Sequence, residues 1–244
     1  MAAITDAVIL MAGTGSRLRA AGKTLHKPLV PIRGRPLISY TLDALQSLGI
    51  STLHVVVGWE SGRLLSGLTP LIPDAIRLHP IENPEWEKQN GVSLMAAAPY
   101  LTQPFLLMMG DHLFERSLLT EFVREAKPEV LNLAVDRKID SIFDIDDAMK
   151  VETEDDRIVA IGKTLSEFDA IDTGIFVCPP AIFHYLASAR RAGDCSLADG
   201  VRAMAEAGKA RVFDIGDAWW QDVDDGGMLE EAEEEAKRLT SAND

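Results

Sequence analysis

The stretch Ala7-Val8-Ile9-Leu10-Met11-Ala12-Gly13-Thr14-Gly15-Ser16-Arg17-Leu18 decides the reading of this chain. Ala7 to Met11 is a short apolar run that ends at a glycine turn, the pattern of a buried central strand. Gly13 and Gly15 let the backbone turn tightly and aim several N–H groups at one anion. Arg17 adds a planar cation suited to phosphate oxygens. Two better-known phosphate motifs fail here on spacing. A dinucleotide fingerprint wants a third glycine where Leu18 stands and an acidic residue after the next strand, where Val57 is followed by Gly58 and Trp59. Gly22-Lys23-Thr24 imitates the end of a P-loop, but the first glycine of that motif would fall on Arg17.

Working outward, a second cation follows in His26-Lys27-Pro28-Leu29. Pro28 biases Lys27 toward an extended backbone, from which it could meet the same phosphates as Arg17. Pro36 to Leu48 then has helical apolar spacing, with Gly49 as the stop. Leu53 to Val57 and Ile76 to His79 read as strands, Gly91 to Ala98 as a short helix, and Phe105 to Met109 as another buried strand. This alternation predicts an α/β fold: a Rossmann-like, doubly wound, mostly parallel sheet. Beyond Leu131 to Val135 the texture changes. Ala148 to Glu152 and Arg157 to Ile161 flank a polar turn and predict a β-hairpin, a rim over the carboxyl edge where such folds bind ligands. Thr173 to Val177 and Ala210 to Ile215 are further strands, and Gly227 to Leu239 is a closing helix whose acidic run, Glu230 to Glu235, reads as a solvated face. A single domain over 1–244 is expected, with a core of 1–135 and 210–244 and a β-rich part at about 136–209.

Bulk composition narrows the partners. The chain has 244 residues and a formal net charge of −14, from 24 Lys and Arg against 38 Asp and Glu, which disfavours binding of DNA or RNA. The first fifty residues nevertheless carry Arg17, Arg19, Lys23, Lys27, Arg33 and Arg35 against only Asp6 and Asp43, as a local site for a small polyanion would. No apolar run is long enough to span a membrane, the start lacks the marks of a signal peptide, and two cysteines are too few for a disulfide framework. A cytoplasmic location without membrane insertion is the expectation. The oligomeric state is open, a homodimer included.

A polyphosphate needs a divalent cation, and magnesium is commonly held by one or two carboxylates together with phosphate and water. Asp111 supplies one carboxylate, at the end of the apolar strand FLLMM. Asp222 and Asp224 alternate along Trp220-Gln221-Asp222-Val223-Asp224 and should point to opposite faces if that segment stays extended. Asp224 is preferred as the second ligand because it lies nearest the last helix, with Asp222 as the alternative. An N-cap role for Asp224 or Asp225 competes with this. His112 is tempting as a base. Were the attacking group a phosphomonoester, already anionic near neutral pH, no base would be needed and a binding role would suit His112 better.

Leu10-Met-Ala-Gly-Thr-Gly-Ser-Arg17 followed by His26-Lys27-Pro28-Leu29 resembles the N-terminal signature of the sugar-phosphate nucleotidyltransferase superfamily. Asn90-Gly91-Val92-Ser93-Leu94, Met109-Gly110-Asp111-His112, Ile161-Gly162-Lys163 and Asp172-Thr173-Gly174 follow in order, and then Trp-x-Asp-Val-Asp. Together they are similar to the cytidylyltransferase half of inositol-1-phosphate cytidylyltransferases, over about Ala7 to Ala236. The resemblance implies a GT-A-like nucleotidyltransferase fold and a reaction in which CTP and a small phosphorylated alcohol give a CDP-alcohol and pyrophosphate. It implies Arg17 and Lys27 as triphosphate clamps, and Leu10, Ala12, Gly13, Thr14, Gly15 and Ser16 with Asn90, Gly91 and Ser93 around the nucleotide. It implies Mg2+ on Asp111 and Asp224, and Lys163, with His112 and Asp172, on the acceptor side. In the bifunctional relatives a membrane-embedded synthase follows, so a free-standing transferase is expected here.

Acceptor chemistry stays open between two kinds. Glu167, Asp169, Asp172 and Thr173 offer acceptors for a ring of hydroxyls, as in inositol 1-phosphate. Trp86, Trp219 and Trp220 would suit the quaternary ammonium of phosphocholine. Phosphonates, sugar phosphates with another nucleotide, and a non-catalytic nucleotide-binding module are further alternatives.

Overall fold

The computed structural model describes residues 4–15 and 26–241, with side chains up to Lys237. Ser16, Arg17 and the Gly22-Lys23-Thr24 decoy lie outside the described residues. One nine-stranded sheet runs through the molecule in the order β5-β4-β1-β6-β11-β8-β12-β10-β9. Its first half is β1 (Asp6–Leu10), β4 (Thr52–Val57), β5 (Arg77–Glu82) and β6 (Phe105–Met109), and every pairing among these four is parallel. Two short strands, β2 (Pro31–Ile32) and β3 (Arg35–Pro36), make a separate hairpin before the first helix.

The second half is mixed. The strand β11 (Ala170–Cys178) lies antiparallel between β6 and β8 (Leu131–Asp136), and β12 (Ala210–Asp214) is parallel to β8. The expected hairpin is present as β9 (Lys150–Glu154) and β10 (Arg157–Gly162). It does more than form a rim: β10 pairs with β12 while β9 pairs back onto β11, so five strands close into a small ring. Closure removes an exposed sheet edge.

Alternation along the central strands puts apolar side chains on both faces. Val8, Val56, Leu107 and Phe176 face a core closed by α3 (Asn90–Ala96), α5 (Ile182–Ala189) and α6 (Leu197–Glu206). Ile9, Val55, Leu106 and Val177 face the other, beneath α1 (Leu37–Ser47), α2 (Ser61–Leu68) and α4 (Arg116–Glu125). The first helix ends as its spacing predicts, with Gly49 at φ +76°.

A third, smaller cluster positions the site. Val30, Ile32, Leu37, Leu113, Val223 and Leu229 are buried together with Ala232 and Ala236 of the last helix, α7 (Gly226–Ser241). They pin three segments near the carboxyl edge of the parallel strands: the β2–β3 hairpin with the residues just before it, the ribbon β7 (His112–Phe114), and β13 (Trp220–Asp222), which pairs with β7.

Candidate active site

The glycine turn and Lys27 form one unit. Gly15 has φ +61°, and a Cβ there would lie 2.9 Å from Cγ of Lys27, so glycine is required both by the turn and by the lysine stem that crosses it. Lys27 is not extended, as Pro28 had suggested. It opens a single 3-10 turn, Lys27–Leu29, closed by Leu29 N–H to His26 carbonyl at 2.9 Å and Val30 N–H to Lys27 carbonyl at 3.1 Å.

From this turn the ammonium of Lys27 reaches Asp111 Oδ2 at 3.3 Å and contacts Asp224 Oδ1. The two carboxylates come from distant parts of the chain, and the backbone joins them: Val223 N–H donates to the Asp111 carbonyl at 2.9 Å, continuing the β7–β13 ladder. Burial disfavours the charge on Lys27, but Asp111 and Asp224 outweigh it and hold its pKa above the ordinary lysine value. At Asp111 burial also opposes ionisation, and His112 and Lys27 together keep the carboxyl below its usual range.

Asp224 is not the cap of the last helix. Asp225 takes that role, its Oδ1 accepting from Gly227 N–H at 2.8 Å and Met228 N–H at 3.0 Å. The expectation that Asp222 and Asp224 point to opposite faces does not hold either. The strand ends at Asp222, and both carboxylates line the same cavity as Asp111. Asp222 is turned toward Gln221, whose Nε2 donates to it at 3.1 Å. Burial, reinforced by Asp224 and Asp111 against the opposing His112, raises its pKa.

Beside the three aspartates opens a cavity of about 500 Å³. Asn90, His112, Lys163 and Asp172 all line it; Gly91 and Ser93 do not. A Cβ on Gly91 would lie 2.6 Å from the Ser196 carbonyl oxygen, so glycine there serves close packing of α3 on the loop before α6. Ser93 is buried, with its Oγ accepting from Asn83 Nδ2 at 3.0 Å. Asn90 is different: its Oδ1 accepts from Leu197 N–H at 2.8 Å, which leaves its amide NH2 as the group available to a ligand.

His112 Nδ1 donates to the Thr173 carbonyl at 2.8 Å, and its Nε2 lies 3.6 Å from Asp111 Oδ1. The ring fits against Gly174, at φ +73°, where β11 shifts register between Asp172 and Phe176. The same irregularity aims Asp172 at the cavity, its Oδ1 accepting from Gly174 N–H at 2.7 Å. Burial pushes the Asp172 carboxyl up to about 6, against the pull of that N–H and of His112.

Across the cavity Lys163 follows the end of β10, half exposed and 2.5 Å from Asp147 Oδ1. The cluster expected around it does not assemble. Asp169 is engaged by Thr153 and Arg137, Thr173 Oγ1 donates to the Ala134 carbonyl at 2.8 Å, and Glu167, Asp169 and Thr173 are not among the residues lining the cavity. The segment 138–149 forms that wall instead, with Lys138, Ser141, Phe143, Asp144 and Asp147. Its signal in the sequence was a carboxylate-rich stretch between two strands. The acidic run of α7 is only partly a solvated face, because Glu231 and Glu235, one turn apart, line the cavity as well. Trp219 and Trp220 line it too, with Trp220 Nε1 donating to Asp136 at 3.0 Å; Trp86 packs against Gly58 and does not.

Residues 7–204 match the family model of the MobA-like NTP transferase domain. The chain belongs to this family. It therefore carries a nucleotidyltransferase domain. Among curated relatives, the bifunctional IPC transferase and DIPP synthase of Thermococcus kodakarensis is 34% identical over 89% of this chain and 47% of its own length. The CMP-5'-(3-aminopropyl)phosphonate synthase of Streptomyces rubellomurinus is 30% identical over 93% of the chain and 38% of its own length. The chain thus spans about half the length, or less, of these relatives. The inositol-1-phosphate CTP transferase from T. maritima superposes with a TM-score of 0.83 at 27% identity, covering 97% of this chain and 96% of that one.

For a MobA-like NTP transferase the donor set matters more than its size. Among the described residues no three His, Cys, Asp or Glu side chains stand together as a metal cage. Asp111 and Asp224 instead offer hard oxygen donors that already converge on one cation, Lys27. That fits a magnesium ion whose remaining ligands are phosphate and water. Among the described residues no helix is long and apolar enough to cross a membrane.

Proposed function

We propose that this protein is a magnesium-dependent cytidylyltransferase that joins CTP to inositol 1-phosphate and releases pyrophosphate. The observation that carries the reading is the meeting of Lys27, Asp111 and Asp224 at the end of the parallel strands, beside a cavity with Lys163 on its far wall. The names of the Thermococcus relative and of the T. maritima structure support the choice of acceptor and nucleotide. The whole chain acts as one catalytic domain in the cytoplasm, with 136–209 presenting the acceptor.

In this reading a phosphate oxygen of the acceptor attacks the α-phosphorus of CTP, and the bond from that phosphorus to the bridging oxygen of the pyrophosphate breaks. Arg17, Lys27 and the glycine turn hold the triphosphate in line. Asn90 donates its amide to the nucleotide. Asp111 and Asp224 would hold the magnesium, which neutralises charge on the departing pyrophosphate. The attacking oxygen is already anionic, so His112 is not needed as a base; tied to Thr173, it orients beside Asp111. Lys163 meets the acceptor phosphate, and Asp172 accepts from an acceptor hydroxyl.

A second acceptor class has its own supporting observation. Trp219, Phe143 and Glu231 share the cavity wall, a combination suited to a cationic headgroup. Pyrophosphate release measured for the four nucleoside triphosphates against a panel of phosphorylated alcohols tests both readings. The expected best pair is CTP with inositol 1-phosphate. A kcat/KM at least ~10-fold higher for phosphocholine or an aminoalkylphosphonate, about 1.4 kcal/mol in transition-state binding, would overturn the acceptor and keep the transferase.

A further inference from the structure

Lys27 stands in one place and is asked, in the proposed reaction, to act in another. Its ammonium bridges Asp111 and Asp224, while the proposed reaction needs the carboxylates on a metal and the lysine on a triphosphate. Its side chain is 16% exposed and its stem is packed over Gly15, so the bridge belongs to a built site. Two carboxylates held together by a backbone hydrogen bond, Val223 N–H to Asp111 carbonyl, repel each other unless a cation lies between them. The structure places one such cation, the Lys27 ammonium, against both carboxylates.

We propose that Lys27 is an internal counter-cation that holds the Asp111–Asp224 pair together and keeps bare divalent ions out, so that the metal site opens only when a triphosphate draws the lysine away. A dication approaching these carboxylates meets an ammonium at contact distance, and their repulsion inside a half-buried site is only weakly screened. A metal arriving with a triphosphate brings the anion that Lys27 exchanges onto. The stem lies against the glycine turn, so the ammonium can shift from carboxylate to phosphate by rotating about its terminal bonds. Lys27 is thus a positioning residue for the metal as well as a clamp for phosphate. This rests on the proposed assignment of Asp111 and Asp224 to the metal.

The test uses Mn2+ as a spectroscopic substitute for Mg2+, titrated by electron paramagnetic resonance with no nucleotide present. Wild-type protein should bind Mn2+ weakly. Lys27→Gln, which keeps a stem over Gly15 and a hydrogen-bond donor but loses the charge, should bind at least ~10-fold tighter. Lys27→Arg should stay as weak as wild type, and Asp224→Asn added to Lys27→Gln should abolish the gain. Circular dichroism melts establish that each variant is folded, and Lys27→Met serves if Lys27→Gln is not. A charge-removing variant that is folded yet binds Mn2+ no tighter than wild type overturns the proposal, as does a gain that survives the loss of Asp224. Because nothing in the titration depends on turnover, absent CTP activity would count against the proposed function and leave this result intact.

Discussion

The backbone N–H of Val223 donates to the carbonyl of Asp111 at 2.9 Å, and this bond carries the β7–β13 ladder on to the two carboxylate-bearing residues of the site. Val223 is itself fully buried, in the cluster that also anchors α7. Packing and this ladder therefore hold Asp224 beside Asp111 against the mutual repulsion of the two carboxylates, which the Lys27 ammonium between them offsets.

That rigidity sharpens the expectation for the two carboxylates proposed to hold the metal. Asp111→Asn and Asp224→Asn should each lower kcat by ~100-fold or more while melting within a few degrees of wild type, because charge stabilisation is lost and the scaffold is not. Asp222→Asn should be milder, since Asp222 accepts from Gln221 and does not contact Lys27. Steady-state kinetics with thermal melts decide the matter, and an Asp222 variant as inactive as the other two would move the second ligand to Asp222.

Gly174 is a stability prediction that needs no substrate. It sits at φ +73°, and an added Cβ would lie 2.3 Å from His112 Cε1 and 3.0 Å from Met109 Cγ. Gly174→Ala combines left-handed backbone strain with displacement of a ring tied to Thr173, and should cost on the order of 2–3 kcal/mol. Urea denaturation measures it. A loss under about 1 kcal/mol would mean that β11 relaxes at its bulge.

How far the sequence could be read follows from where each signal lies. The glycine turn and Asp111 stand at the ends of apolar runs, and a buried strand fixes where its end must emerge. Alternation misled at Asp222 and Asp224 because it assumes a strand that continues, and this one stops at Asp222. The cavity wall at 138–149 offered no period to read, only a carboxylate-rich stretch between two strands; its Phe143 and Asp147 meet the cavity through tertiary placement alone. Gly91 and Ser93 carry a motif whose residues the fold spends on packing against Ser196 and on the bond to Asn83.

Asp172 gives a pH-dependent prediction with a definite sign. Its carboxyl is pushed by burial from 3.8 up to about 6, so the folded state holds this proton more tightly than the unfolded chain. The resulting stabilisation is complete below about 3.8 and is lost as pH rises through about 6, beyond which the folded protein carries a buried charge. Two units correspond to at most about 3 kcal/mol. Asp172→Asn keeps the acceptor for Gly174 N–H and removes that penalty. Its Tm should exceed wild type by several degrees at pH 8 and by much less at pH 5. An equal difference at both values would show that Asp172 is not the titrating group.

Lys163 and Asp147 form a second ion pair on the cavity wall, at 2.5 Å. Half exposed to solvent, this pair adds little to stability, so its value must lie in where it leaves the ammonium. If Lys163 meets the acceptor phosphate, then Lys163→Ala should raise the KM for the acceptor ~10-fold or more and change that for CTP little, because the lost contact is remote from the triphosphate. Asp147→Asn separates two possibilities. Should Asp147 merely hold Lys163 in place, its loss would raise the same KM by a smaller factor; should it compete with phosphate for the lysine, its loss would lower that KM. The second outcome is expected, since an incoming phosphate dianion and the Asp147 carboxylate seek the same ammonium. Initial rates over a grid of both substrates report the two constants separately, and a CTP effect as large as the acceptor effect in Lys163→Ala would remove Lys163 from the acceptor site.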